Sequence, residues 1–108
     1  MKNVILSHDD ELTVFSVPDK VADNLYEYCL GFCNEWIWNS PHAEKFRCTV
    51  TDLTGHQESF MSYTATDFIE YLNEWIFPEQ QSVLVENLGI FDPEEIPEKY
   101  KDCPRFNF

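Results

Sequence analysis

Asp19, Asp23 and Glu27 recur every fourth residue, and Asp67, Glu70 and Glu74 recur at spacings of three and four. On a helix each set falls on one face. Four helical residues rise about 6 Å, so the carboxylates would stand at intervals comparable with successive phosphates of a nucleic-acid strand. The chemistry open to such a stripe is electrostatic: it can pair with the Lys and Arg side chains that a basic groove holds ready for phosphates. The same spacing also describes the solvated face of an ordinary amphipathic helix. The stripes therefore gain weight only from the charge around them.

That charge is one-sided. Between Cys48 and Glu98, 51 residues carry eleven carboxylates and no Lys or Arg, and residues 3–44 hold eight acids against Lys20 alone. The formal net charge of the 108 residues is −13. A field of this sign repels nucleic acid and anionic membrane and attracts basic clefts. Asp52 and Glu58, flanking a turn, are expected to join the stripes in meeting a basic partner.

Other constellations lead to less. Cys29 and Cys33 are four apart, but zinc would need two further ligands and the spacing is not that of a zinc finger; they read as small core hydrophobes. His56-Gln57-Glu58 has no Pro-Cys-x-x-Cys to complete a zinc deaminase. His8 beside Asp9 and Asp10 has no nucleophile assigned to it by spacing. There is no phosphate-binding glycine loop and no Walker lysine. No catalytic residue, metal or cofactor is expected, and the chain reads as a non-enzyme.

Aromatic residues supply the second kind of contact. Trp36 and Trp38, two apart, cannot both face one core. Trp38 is a candidate partner anchor, since aromatics are enriched at binding hot spots, unless the C-terminal segment covers it. Phe106 and Phe108 have the same two options.

The elements that must position these residues follow from periodicity. Composition is 44% hydrophobic and 16% aromatic, which places the chain among folded proteins, and its length fits one domain. Asn3–Ser7 and Leu12–Val17 read as a hairpin around His8–Glu11. Pro18 and Asp19 open a helix with Val21, Leu25, Cys29, Phe32 and Trp36 on one side, ending near Asn39-Ser40-Pro41. Residues 46–51 and 57–63 form a second hairpin. Thr64 or Thr66 caps a second helix with apolar face Phe68, Ile69, Leu72, Trp75 and Ile76, stopped by Pro78. Ser82–Leu88 is a last strand.

The expected fold is a single α+β domain: a mainly antiparallel sheet of about five strands in the order β-β-α-β-β-α-β, with two helices on one face. Residues 1–89 form the core and residues 90–108 a Pro-rich wrapping tail. No apolar run suits a signal peptide or membrane span, so a cytoplasmic setting with reduced thiols is expected.

The tail from Pro97 to Phe108, PEKYKDCPRFNF, resembles the ends of small, acidic, uncharacterised proteins of Gram-positive bacteria and their mobile elements. The resemblance implies a bacterial or phage-related cytosolic setting and brings no catalytic residues with it. Together with the charge, it gives the expected function: a small protein-binding inhibitor or regulator, a nucleic-acid mimic of the anti-CRISPR or antirestriction type. Its partner would be a protein with a basic surface, such as a nuclease. The alternative is a non-catalytic housekeeping interaction domain whose acidity serves solubility, with a homodimer formed through Trp38 and the tail.

Overall fold

In the computed structural model, which describes residues 1–8, 11–89 and 92–108, β1 (Lys2–His8) and β2 (Glu11–Val17) pair antiparallel from Lys2↔Val17 to His8↔Glu11. Asp9 and Asp10, in the expected hairpin loop, lie outside the described residues. Alternation sends Val4, Leu6, Phe15 and Val17 to one face of this pair and Ile5, Leu12 and Val14 to the other. All seven are buried, so the sheet is covered on both sides.

The helices cover the first face, as expected. Val21, Leu25, Cys29, Phe32 and Ile37 from the first helical stretch meet Phe68, Ile69 and Leu72 from the second. Ile96 and Tyr100 from the tail cover the second face. The domain is α+β with a mostly antiparallel four-stranded sheet in the order β5 (Val83–Asn87), β2, β1, β6 (Arg105–Asn107).

Strand membership differs from the expectation in two places. The hairpin β3 (Arg47–Thr51) and β4 (Gln57–Met61) stands apart as its own two-stranded ribbon. Within it Cys48, Val50 and Phe60 share one face, and Met61, opposite Arg47, packs on the core from the other. The remaining side chains are polar and exposed, too little apolar surface to fill a place covered on both sides like that of β1 and β2. The tail, expected only to wrap, contributes β6 (Arg105–Asn107), parallel to β1, while β5 (Val83–Asn87) pairs antiparallel with β2.

The first helical stretch is not uniform. α1 (Asp19–Asp23) stops at Asn24, whose φ of −132° is not helical. α2 (Leu25–Leu30) then runs into a π-helical turn at Gly31–Trp36 before the short α3 (Ile37–Asn39). α4 (Ala65–Tyr71) likewise runs into a π turn at Leu72–Ile76. In a π turn the hydrogen bond spans five residues: Ile37 N donates to Phe32 O, and Phe77 N donates to Leu72 O at 2.7 Å. The core position consequently passes from Phe32 to Ile37 instead of Trp36, and from Leu72 to Phe77 instead of Ile76. Trp75 and Ile76, expected on the buried face, are exposed.

Candidate protein-binding cleft

The two π turns place indoles on a common cleft. Trp36 and Trp75 lie 6.4 Å apart between ring centroids, Trp36 and Tyr71 5.0 Å, and Trp36 and Phe46 6.3 Å. A 3-10 turn at Pro41–Phe46 closes the other side. Its start is fixed by Pro41 at the first position and by the Ser40 hydroxyl, which accepts from His42 N at 3.2 Å. His42 stacks on Trp75 at 4.3 Å. Arg47 holds the turn against the helix end by donating to the carbonyls of Ile37, Trp38 and Ser40 at 3.1 to 3.3 Å. The cleft so enclosed measures 240 Å³.

Asp67, Glu70 and Glu74 all line it, as their spacing requires. Their employment differs. Thr64 N donates to Asp67 Oδ2 at 2.8 Å and Asp67 N donates to Thr64 Oγ1 at 3.4 Å, a reciprocal cap on the first turn of α4. Asp67 is thus a structural residue as well as a wall of the cleft. Glu70 lies 3.6 Å from Lys45 Nζ, which also sits 5.0 Å above the Phe46 ring. Glu74 is exposed and has no ion pair among the described residues. The cleft therefore already holds one ammonium between a carboxylate and an aromatic face. Burial raises the Tyr71 phenol above its ordinary pKa, with Tyr28 and Glu35 adding to the effect, so this wall stays neutral.

The other stripe serves the fold more than the surface. Asp19 lies 2.8 Å from the Met1 α-ammonium and Asp23 2.7 Å from Lys2 Nζ, pairing α1 with the start of β1. The hydrogen bond from that ammonium holds the Asp19 carboxyl below its ordinary range, and the bond to Asp23 raises Lys2. Only Glu27 of this set stands free of an ion pair among the described residues.

Asp52 is also committed locally. Its Oδ1 accepts from Thr54 N at 2.9 Å, Thr54 Oγ1 at 2.7 Å and His56 N at 2.9 Å. Gly55, at φ 84°, completes the turn in a region that favours glycine. The result is an ordered hairpin tip with Leu53 fully exposed at its apex, and with Glu58 3.9 Å from His56. Val50 and Phe60 are exposed on the same projecting ribbon. Ser62 N donates to Phe46 O, so the ribbon leaves the body beside the cleft.

Trp38 is 54% exposed and is not covered by the tail. The two C-terminal phenylalanines are engaged within the chain. Phe108 packs 5.5 Å from Phe68 and 6.1 Å from Tyr63, and Phe106 lies 4.9 Å from Phe108. Cys29 is buried, with its thiol pKa raised by burial, and Cys33 Sγ donates to Cys29 O at 2.8 Å. Among the described residues no three His, Cys, Asp or Glu side chains converge as a metal site, and no helix is long and apolar enough to cross a membrane.

Spacing alone did not reveal Trp36, Trp75 and His42 as cleft residues. Pro41 beside His42 marked the turn, but the inserted residue of a π turn leaves no mark in a pattern that accepts steps of three or four. Comparison with known proteins gives no match: no family model, curated protein or solved structure is similar to this chain.

Proposed function

We propose that this protein is a small, non-catalytic inhibitor or regulator that acts by binding a basic protein, in the manner of a nucleic-acid mimic. The observation carrying this reading is the cleft itself, where Glu70 and Glu74 stand beside Trp36 and Trp75 and a lysine ammonium is already accommodated. A partner's Lys or Arg would find there the same pairing of carboxylate and ring that Lys45 finds. Arg suits the site better than Lys, because its guanidinium plane both stacks on indole and takes a carboxylate in two bonds. Glu27, Glu58 and Trp38 are further exposed side chains outside the cleft that a partner can meet.

The partner class is a protein that normally holds phosphates, such as a cytoplasmic nuclease of bacterial defence. Inhibition then requires only occupation: the acidic body and the projecting ribbon fill a groove that DNA or RNA would enter. This is the anti-CRISPR or antirestriction mode of action. The competing reading, an interaction domain made acidic for solubility, draws support from Asp19, Asp23 and Asp52, whose carboxylates are spent on the fold.

A pull-down from bacterial lysate with and without competing DNA identifies the partner. Association rates are then measured against ionic strength for the wild type and for Glu70→Gln with Glu74→Gln; Asp67 is left in place because it caps α4. The double variant should associate roughly tenfold more slowly at low salt and with a flatter salt dependence. Equal rates and equal slopes would leave the acidic wall as solvated surface and the solubility reading in its place.

A further inference from the structure

The two edges of the main sheet are treated differently by the sequence. β6 is three residues long, follows Pro104 and carries Arg105, all of which discourage another strand from pairing there. β5 has none of these three, although its pairing with β2 shifts register between Val14↔Glu86 and Phe15↔Leu84 and leaves Val85 without a partner there. It is five residues long with no Pro, Lys or Arg, and among the described residues β2 is the only strand beside it. Val83, Leu84 and Val85 are exposed by 55%, 59% and 43%. Its one charged side chain, Glu86, is turned to the tail, accepting from Tyr100 OH at 2.8 Å and lying 3.7 Å from Lys99 Nζ.

This edge is also held rigid. Asn73 clamps its entry, with Ser82 N donating to Asn73 Oδ1 at 2.6 Å and Asn73 Nδ2 donating to Ser82 O at 3.0 Å. At its exit Asn87 Nδ2 donates to Glu11. A strand fixed at both ends offers its outward N–H and C=O groups without a cost in ordering them. Beside it runs a groove of 480 Å³ between the sheet and the start of α4, walled by Thr13, Phe15 and Leu84 on one side and by Thr64, Ala65 and Thr66 on the other. Small side chains at 64–66 leave room for alternate side chains of an added strand.

We infer that β5 is a strand-addition site that accepts an extended, basic and apolar segment of a partner protein. Backbone pairing with Val83–Asn87 supplies the attachment, and apolar side chains at alternate positions enter the groove beside Leu84. The charge of the occupant follows from the host. Glu11 lines the groove, Glu79 lies just before the strand, and the body carries −13, so Lys or Arg on the outward positions of the segment is attracted. A second copy of this chain would bring another −13 to the same edge and is disfavoured by the same field. The site is separate from the acidic aromatic cleft and shares no residue with it.

The test uses the whole protein, isotope-labelled, and a short blocked peptide alternating Val with Lys. The expected result is shifts of the Val83–Asn87 amides on titration. The same peptide N-methylated at alternate amides should bind roughly tenfold or more weakly, since its edge-facing hydrogen bonds are gone. A peptide alternating Val with Glu should also be weaker. Leu84→Ala, at an exposed side chain and with an unchanged circular dichroism spectrum, should weaken binding several-fold, whereas Glu70→Gln with Glu74→Gln should leave the β5 shifts intact. This last comparison separates failure here from failure of the cleft reading. Three results would overturn the inference: no shift at millimolar peptide, equal binding of the N-methylated peptide, or a dimer in sedimentation with amide shifts confined to β5, which would make the occupant a second copy.

Discussion

Thr64 and Asp67 answer each other across the first turn of α4, and that exchange sets the price of touching either residue. Replacing Thr64 with Ala removes the acceptor for Asp67 N and leaves the Asp67 carboxylate with fewer donors. The expected cost is about 1 kcal/mol, read as a fall of a few degrees in the melting temperature. The sequence offers both Thr64 and Thr66 as the cap and shows Asp67 only as a member of a charged stripe, because spacing cannot tell a carboxylate that faces water from one that turns back to its own backbone. Asp52 makes the same point with a sharper test. Hydrogen bonds from Thr54, with His56 adding another, hold its folded pKa below the ordinary 3.8. A depressed carboxyl contributes fully above its unfolded value, and the contribution fades as pH falls through the folded value. The Thr54 and His56 amides should therefore shift together in acid, below about pH 4, while the body of the sheet stays folded. In Asp52→Asn the geometry can persist but that titration should disappear; an unchanged titration would assign it to another group.

Among the elements, β1, β2, β5 and the first turn of α4 were legible because alternation, a cap and breakers agreed there. The two π turns were not. Trp75 and Ile76 fit a period of 3.6 as well as core residues do, and only the five-residue bond to Leu72 moves them to the surface, while Trp36 stays half-buried against the core beside the bond to Phe32. β6 was hidden for another reason: Arg105-Phe106-Asn107 has a single apolar side chain, and its pairing with β1 depends on Pro104 O accepting from Ile5 N at 2.8 Å. The π turn between Phe32 and Ile37 makes a specific prediction. Deleting the exposed Asn34 brings these two core residues to a separation of four, so a regular α-turn can replace the wide one with both still buried. Deleting the exposed Glu27 from the regular part of α2 instead rotates Leu25 relative to Cys29 and should cost roughly 3 kcal/mol or more. The melting temperatures of the two deletions should thus differ widely, with near-ultraviolet circular dichroism reporting the changed setting of Trp36. Equal losses would mean that the wide turn is itself required for packing.

At the scale of the whole molecule, the surplus of acid was evident from sequence, but its partition between fold and surface required the structure. Lys2, Lys45, Lys99 and Lys101 are each within 4 Å of a carboxylate, and Arg47 is bound to carbonyls. Five of the seven Lys and Arg residues are thereby used locally, and the surplus carboxylates act on one another over longer range. The shape spreads them: the radius of gyration is 15.5 Å, against about 13 Å for a compact chain of this length, and the longest axis measures 51 Å. Salt should act on stability and on binding with opposite signs. Exposed ion pairs contribute at most about 1 kcal/mol each and weaken as salt is added. Repulsion among the surplus acids is long-range, and falls strongly as the Debye length shortens from about 30 Å at 0.01 M to about 8 Å at 0.15 M. The melting temperature should therefore rise over that range, and the rise should flatten in Glu27→Gln with Glu74→Gln, which removes two carboxylates that have no ion pair among the described residues. Association with a basic partner should slow over the same range. If the melting temperature instead falls with salt, local pairs such as Asp19 with Met1 and Asp23 with Lys2 dominate the electrostatics, and the negative field available to steer a partner is weaker than the net charge implies.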